Sequence, residues 1–184
     1  MKNHFTLLIF ISILSLLSCN SNQDVKSSDQ QVDTSSIAAG QASVMDETSD
    51  PNIVQVASSS KDHSTLVTAV KAAGLIDVLS STGPFTVFGP TNTAFDKLPA
   101  GTLDDLLKRE NQADLKNILE YHTYVGVLKT DYIQDGQSFE MVNGGKISIT
   151  KKGDKIMING KATISTSIPT SNGVIHVIDE VLLP

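Results

Sequence analysis

The sequence predicts an α+β domain, helical in its first half and built of strands in its second. Three observations carry that assignment. Apolar residues recur at helical spacing from Asn52 to His122, the period changes to two after His122, and Gly153-Asp154 sits between two cleanly alternating runs where a hairpin turn belongs. Helices first and strands last exclude the regular βαβ alternation of a doubly wound sheet.

Ile53, Val54 and Ala57 fit a short first helix after Asp50-Pro51, a pair that favours a chain boundary because proline restricts its predecessor and pre-sets the first helical turn. Leu66, Val67, Val70 and Ala73 fit a second, with Ser64 as its expected N-cap and Gly74 as its stop. Leu75, Ile76 and Leu79 add one or two turns, and Phe85 with Val87 form a strand between Gly83-Pro84 and Gly89-Pro90. Thr102 is the expected cap of a helix with Asp104 and Asp105 in its first turn. Asn111 is the expected cap of another that carries Leu115, Ile118, Leu119 and His122 on one stripe. Lys146 to Thr150 and Lys155 to Asn159 alternate, Ala162 to Thr166 continues the pattern, and Val174 to Ile178 is apolar on both faces, as in an inner strand covered on each side.

Residues 1–18 read as a signal peptide. Lys2 precedes a thirteen-residue apolar run, Phe5 to Leu17, which is shorter than the roughly 20 residues of a spanning helix. Ser18-Cys19 closes the run as in a bacterial lipobox, so Cys19, the single cysteine, is the expected lipidation site and the membrane an expected partner. One cysteine also excludes an internal disulfide framework and multi-cysteine metal clusters. Residues 19–51 hold Lys26 and six acids and are rich in Ser, Gln and Asn, the composition of a disordered acidic tether. Residues 52–184 are the folded domain. The net charge of −6 and the absence of a continuous basic stripe argue against nucleic acid as a partner.

Three segments of that domain resemble the fasciclin family. Thr86-Val87-Phe88-Gly89-Pro90-Thr91-Asn92-Thr93-Ala94-Phe95 is similar to its first box, Tyr121-His122 to its central pair, and Asn172 to Pro184 to its closing box. Gly89 departs from the usual alanine, Thr93 from a frequent acid, and Thr123-Tyr124 from aliphatics. The resemblance implies a fasciclin-like fold, with the helical N-terminal half packed on a β-sheet or wedge formed mainly by the C-terminal half. It also implies an extracellular adhesion or surface-interaction module without a catalytic role.

The motif residues Thr91, Asn92, Phe95, Tyr121, His122, Gly173, His176 and Asp179 read mostly as architecture. Pro90 fixes φ, and Thr91 or Asn92 can cap the helix that buries Phe95. His122 and His176 lie in apolar stripes and need internal hydrogen bonds. No nucleophile elbow, phosphate-binding loop or zinc-protease helix occurs, and Asp62-His63-Ser64 reads as an exposed helix entry. The expectation is a non-enzyme with no catalytic residue, metal or cofactor, anchored outside the cytoplasm in a bacterial envelope and binding a surface protein or glycan. A carrier of small ligands or polysaccharide, with a pocket between helices and sheet, is the alternative.

Overall fold

The computed structural model describes residues 50–184; the leader, Cys19 and the chain up to Ser49 lie outside the described residues. Among the described residues there are six α-helices: α1 (Ile53–Ser59), α2 (Ser64–Ala72), α3 (Ile76–Ser80), α4 (Asn92–Phe95), α5 (Thr102–Leu106) and α6 (Gln112–Tyr121). Seven strands accompany them: β1 (Phe85–Pro90), β2 (Thr123–Val125), β3 (Ser138–Glu140), β4 (Lys146–Lys152), β5 (Lys155–Ile158), β6 (Ala162–Thr170) and β7 (Gly173–Ile178). The helical first part and the C-terminal sheet agree with the α+β class read from the sequence.

Local chemistry explains most helix ends. Asn52 and Gln55 form a capping box at α1, each side chain bonding the other's backbone N–H. Gly74, with φ 70°, ends the α2 segment in the left-handed conformation that glycine adopts without strain. Three expected caps are not formed. Ser64 is the first residue of α2, Thr102 follows Gly101 in the cap position, and Asn111 occupies the cap position of α6 but makes no side-chain bond to that helix. Asn111 instead donates to the Asp105 carbonyl at 2.8 Å, tying α5 to α6.

The strand order is β2-β1-β7-β6-β5-β4-β3. β1 and β7 run parallel, in register from Phe85↔Gly173 to Pro90↔Ile178, and every other pairing is antiparallel. β6 changes partner along its length: Ala162 and Thr163 pair with β5, whereas Ile164 to Thr170 pair with β7 across a bulge. Pro169 is tolerated there because no pairing with β5 extends to its side of the strand. Just past β3, Val142 donates to the Thr123 carbonyl of β2 at 2.9 Å, and Tyr124 meets Phe139 edge to face with centroids 5.6 Å apart. The two ends of the strand order therefore meet.

This curvature makes two cores. On one side of β1 and β7, Val87, Ile175 and Val177 pack with Ile53, Leu66, Val70, Leu79, Leu115 and Leu119 from the helices. On the other, Phe88 and Ile178 pack with Tyr121, Ile147, Ile149, Ile156 and Ile158 inside the curled sheet. The alternation of side chains along β1 and β7 sends neighbours to opposite cores, so these strands are apolar on both faces.

The parallel pair requires a close approach at its start, where a Cβ on Gly173 would overlap the Phe85 carbonyl oxygen. Gly173→Ala should lower stability by about 3 kcal/mol in urea titrations. Gly144→Ala, with open space around it and φ 82°, should lose only about 1 kcal/mol from backbone strain. Equal losses in the two variants would show that packing at Gly173 is not limiting.

Candidate functional site

Asn92 is the link between the first box and the helical layer. Its Oδ1 accepts from the Thr65 backbone N–H at 3.0 Å and the Ser64 hydroxyl at 3.3 Å. Its Nδ2 donates to the Lys61 carbonyl at 2.9 Å and reaches the Ser64 hydroxyl at 3.1 Å. The cap of α2 thus arrives from a residue distant in sequence, which explains why Ser64 does not supply it. Thr91 stands at the cap position of α4, but neither it nor Asn92 makes the side-chain cap bond expected there; Thr91 donates its N–H to the Ile178 carbonyl at 3.2 Å, and its hydroxyl bonds that of Thr93 at 2.9 Å. Phe95 is buried in the helical core.

Tyr121 and His122 close α6 facing inward. The Tyr121 hydroxyl donates to the Lys146 carbonyl at 2.9 Å and accepts from Asn159 Nδ2 at 3.1 Å. His122 Nδ1 donates to the Ile118 carbonyl at 2.8 Å, and its Nε2 accepts the Leu182 backbone N–H at 3.0 Å. Nε2 can accept only while unprotonated, so this geometry fixes the neutral ring and its tautomer. Burial pushes the His122 pKa down to about 4, against a smaller opposing effect of the Ile118 carbonyl.

His176 uses both ring nitrogens as well. Nδ1 meets the Ser167 hydroxyl at 2.7 Å, Nε2 donates to the Leu128 carbonyl at 2.7 Å, and the ring lies against Phe88. Thr86, fully buried, donates to the Gly126 carbonyl at 2.7 Å and accepts the Leu128 N–H at 2.9 Å. Together these two side chains pin the segment 126–128 to the middle of the sheet. Asp179 accepts the Thr163 N–H at 2.6 Å, and Lys97 donates to its carbonyl at 2.7 Å.

Two residues gain importance that sequence reading did not give them. Asn172 is buried, accepts the Ile53 N–H at 2.9 Å and donates to the Leu79 and Ser81 carbonyls at 2.8 and 2.9 Å, so it joins α1, α3 and β7. His63 is the correction: it was expected in an exposed helix entry but is only 4% exposed. The ring lies near the Gly89 backbone: a Cβ there would stand 3.6 Å from it, an ordinary contact, and would be tight only against Ile175, at 3.1 Å. Its Nδ1 bonds the Ser60 hydroxyl at 2.9 Å and its Nε2 has no close partner. Burial lowers its pKa, opposed by the Asp62 carboxylate and the Gly89 backbone.

The motif residues do not converge on one concave centre, and their polar atoms are engaged within the protein. The void between helices and sheet, bordered by Ile53, Leu66, Leu79, Leu119 and His122, measures about 30 Å³ and is almost wholly apolar. A larger open groove of about 620 Å³ runs between Gly83-Pro84, Lys129 to Asp131 and Thr170 to Asn172. Along it the segment 126–128 held by Thr86 and His176 displays Val127, 46% exposed, with Val125 and Tyr132 on either side of that segment in the chain, 63% and 75% exposed. Among the described residues no group of His, Cys, Asp or Glu is arranged to hold a metal ion, and no helix is long and apolar enough to cross a membrane.

The sequence profile of the fasciclin domain matches residues 61–184. The chain belongs to the fasciclin domain family. It is 47% identical over 132 residues to protein sll1483 of Synechocystis, covering 72% of this chain and 73% of the relative. It is 37% identical over 134 residues to the pig transforming growth factor-beta-induced protein ig-h3, covering 72% of this chain and 19% of that larger protein. A solved fasciclin domain pair, from the insect cell adhesion molecule Fasciclin I, shares the fold at a TM-score of 0.62 with 21% identity, over 73% of this chain and 51% of that one. Fasciclin domains are commonly non-catalytic and related to adhesion or extracellular matrix, in secreted or surface-associated proteins.

The histidines give the fasciclin domain a defined response to acid. His122 is neutral when folded and has an ordinary pKa near 6.5 when unfolded. Between those values the unfolded chain binds the extra proton, so stability is full above about pH 6.5 and falls as pH drops towards 4. His122 alone should contribute a loss of about 3 kcal/mol over that window, with His63 and His176 acting in the same direction. Urea midpoints against pH should show the fall, and His122→Gln should flatten it while lowering stability at pH 7 by about 1–3 kcal/mol. An unchanged pH profile in that variant would remove His122 as its source. His63→Ala should also destabilise, through the cavity it leaves.

Proposed function

We propose that this fasciclin protein is a non-catalytic, lipid-anchored surface protein that attaches to an envelope, matrix or neighbouring-cell component through the face around residues 125–132. The observation that carries the reading is the use of Thr86 and His176, buried polar side chains, to fix residues 126–128, whose Val127 faces outward with exposed Tyr132 four residues beyond the fixed segment. A fixed, partly apolar projection loses little conformational freedom on binding. Polar motif side chains turned inward leave the outer surface, rather than an enclosed centre, to do the recognising.

The carrier reading has less support. A void of about 30 Å³ accommodates a group of about the size of one water molecule. The open groove beside Lys129 and Asp131, with the Thr130, Thr170 and Ser171 hydroxyls, supports a glycan bound at the same face as the second reading. Anchoring is proposed from Ser18-Cys19 after the apolar run: acylation of Cys19 would hold the protein at an extracytoplasmic bacterial membrane surface.

Each half of the proposal has its own test. Cys19→Ala should move the protein from the membrane to the soluble fraction of cells; continued retention with an unaltered mass would refute acylation. Val127→Ser with Tyr132→Ser should lower attachment of cells to matrix-coated surfaces by about tenfold or more while changing stability by no more than about 0.5 kcal/mol per site. Attachment at the wild-type level by a correctly folded double variant would move the binding face elsewhere.

A further inference from the structure

Charge is segregated within the domain. Residues 146–161 contain Lys146, Lys151, Lys152, Lys155 and Lys161 against a single acid, Asp154. The rest of residues 52–184 then holds seven basic and thirteen acidic residues, so a basic region stands on an otherwise acidic domain. All five lysines are exposed, and the ion pairs found among the described residues, Lys108–Asp105 and Lys116–Glu120, use none of them.

The fold concentrates these charges where they oppose folding. β4 and β5 form a hairpin in which Lys152 pairs directly with Lys155, and like charges across a strand pair are destabilising. The nearby carboxylates relieve this only in part. Glu140 pairs in register with Lys146, Asp135 spends one oxygen on the Lys151 backbone N–H at 2.7 Å, and Asp154 lies in the turn. Ile147, Ile149, Ile156 and Ile158 point into the core, so the opposite face of the hairpin carries Lys146, Ser148, Thr150, Lys152, Lys155 and half-buried Met157, whereas Lys151, paired with Ile156, lies on the isoleucine side near the turn.

The type of cation narrows the ligand. Lysines on flexible stems act as point charges, whereas a discrete phosphate or carboxylate is gripped best by arginine forks in a concavity. The hairpin has lysines and no arginine, and Lys151, Lys152 and Lys155 border no groove described above. Such a surface matches negative charge spread over a plane. We propose that the β4–β5 hairpin is a docking face for the anionic headgroups of a lipid bilayer. It is separate from the face around Val127 and Tyr132, and it does not require acylation of Cys19. Lysines that only guard strand edges would be indifferent to lipid charge, which separates the two roles.

The test uses the full chain with vesicles of phosphatidylcholine alone or containing one third phosphatidylglycerol, reading the acetylation rate of individual lysines by mass spectrometry. Lys152 and Lys155 should react about fivefold or more slowly on the anionic vesicles at low ionic strength. High salt should abolish the difference, and exposed Lys71 and Lys116 should react alike on both vesicles. Equal rates at the hairpin on the two vesicles, or uniform protection of every lysine, would overturn the proposal. Protection by soluble dextran sulfate without protection by anionic vesicles would overturn it in favour of an acidic polysaccharide. Lys152→Gln with Lys155→Gln should keep or raise the melting temperature, since a like-charge pair is removed, and lose the salt-sensitive part of vesicle binding; retention of that part would also refute the proposal. The Val127→Ser, Tyr132→Ser variant should retain the lysine protection, so loss of the adhesive face and loss of the lipid face are read independently.

Discussion

The parallel pairing of β1 with β7 is the constraint on which the other elements depend. It joins residues 85–90 to residues 173–178, about two thirds of the domain's length apart, and both faces of the pair are covered. Helices can bury their apolar stripes only once this surface exists, and the curled part of the sheet packs against its reverse side. Gly173 permits the contact at Phe85, and Asn172 satisfies backbone groups from α1 and the end of α3 at the same point. Pairing so distant in sequence carries a large loop-closure entropy, which predicts folding slower than that of a helical bundle of similar size.

Polar residues give this double core its single arrangement. Thr86, His122 and His176 are each almost wholly buried, and each bonds backbone from another part of the chain. An apolar side chain at any of these positions would fill space without specifying which loop lies against it. The two fully bonded histidines differ in what they tolerate. His122 must accept a backbone N–H, whereas the Ser167 hydroxyl beside His176 can either donate or accept.

Much of this was legible in the sequence because local pattern and global fold agree. Lys146 to Thr150 and Lys155 to Asn159 alternate because one face meets the second core, and Val174 to Ile178 lacks alternation because both faces are covered. β2 and β3 were not marked as strands: they have three residues each, too short for a period to emerge. β6 continues through Pro169, a residue that argues against a paired strand unless one edge is known to be free. The caps of α2 and α5 were misplaced because Asn92 and Gly101 act through geometry rather than through the preferred local residue. His63 looked exposed between Asp62 and Ser64, and its burial, with Gly89 of β1 nearby, brings in a residue distant in sequence. The groove combines Pro84, Lys129 and Ser171, three separate turns with no shared motif.

The entry of the chain at Pro51 has a mechanical meaning. Ser171 donates its backbone N–H to the Pro51 carbonyl at 3.1 Å, and the same Ser171 borders the groove beside Lys129. A pull on the chain ahead of Pro51 therefore enters the domain next to the face that displays Val127. Tension between that entry and a partner held at this face would cross a few turns at one end of the sheet. The curled sheet and its isoleucine core would lie outside the load path, so such a joint could bear force without its fold acting as the spring.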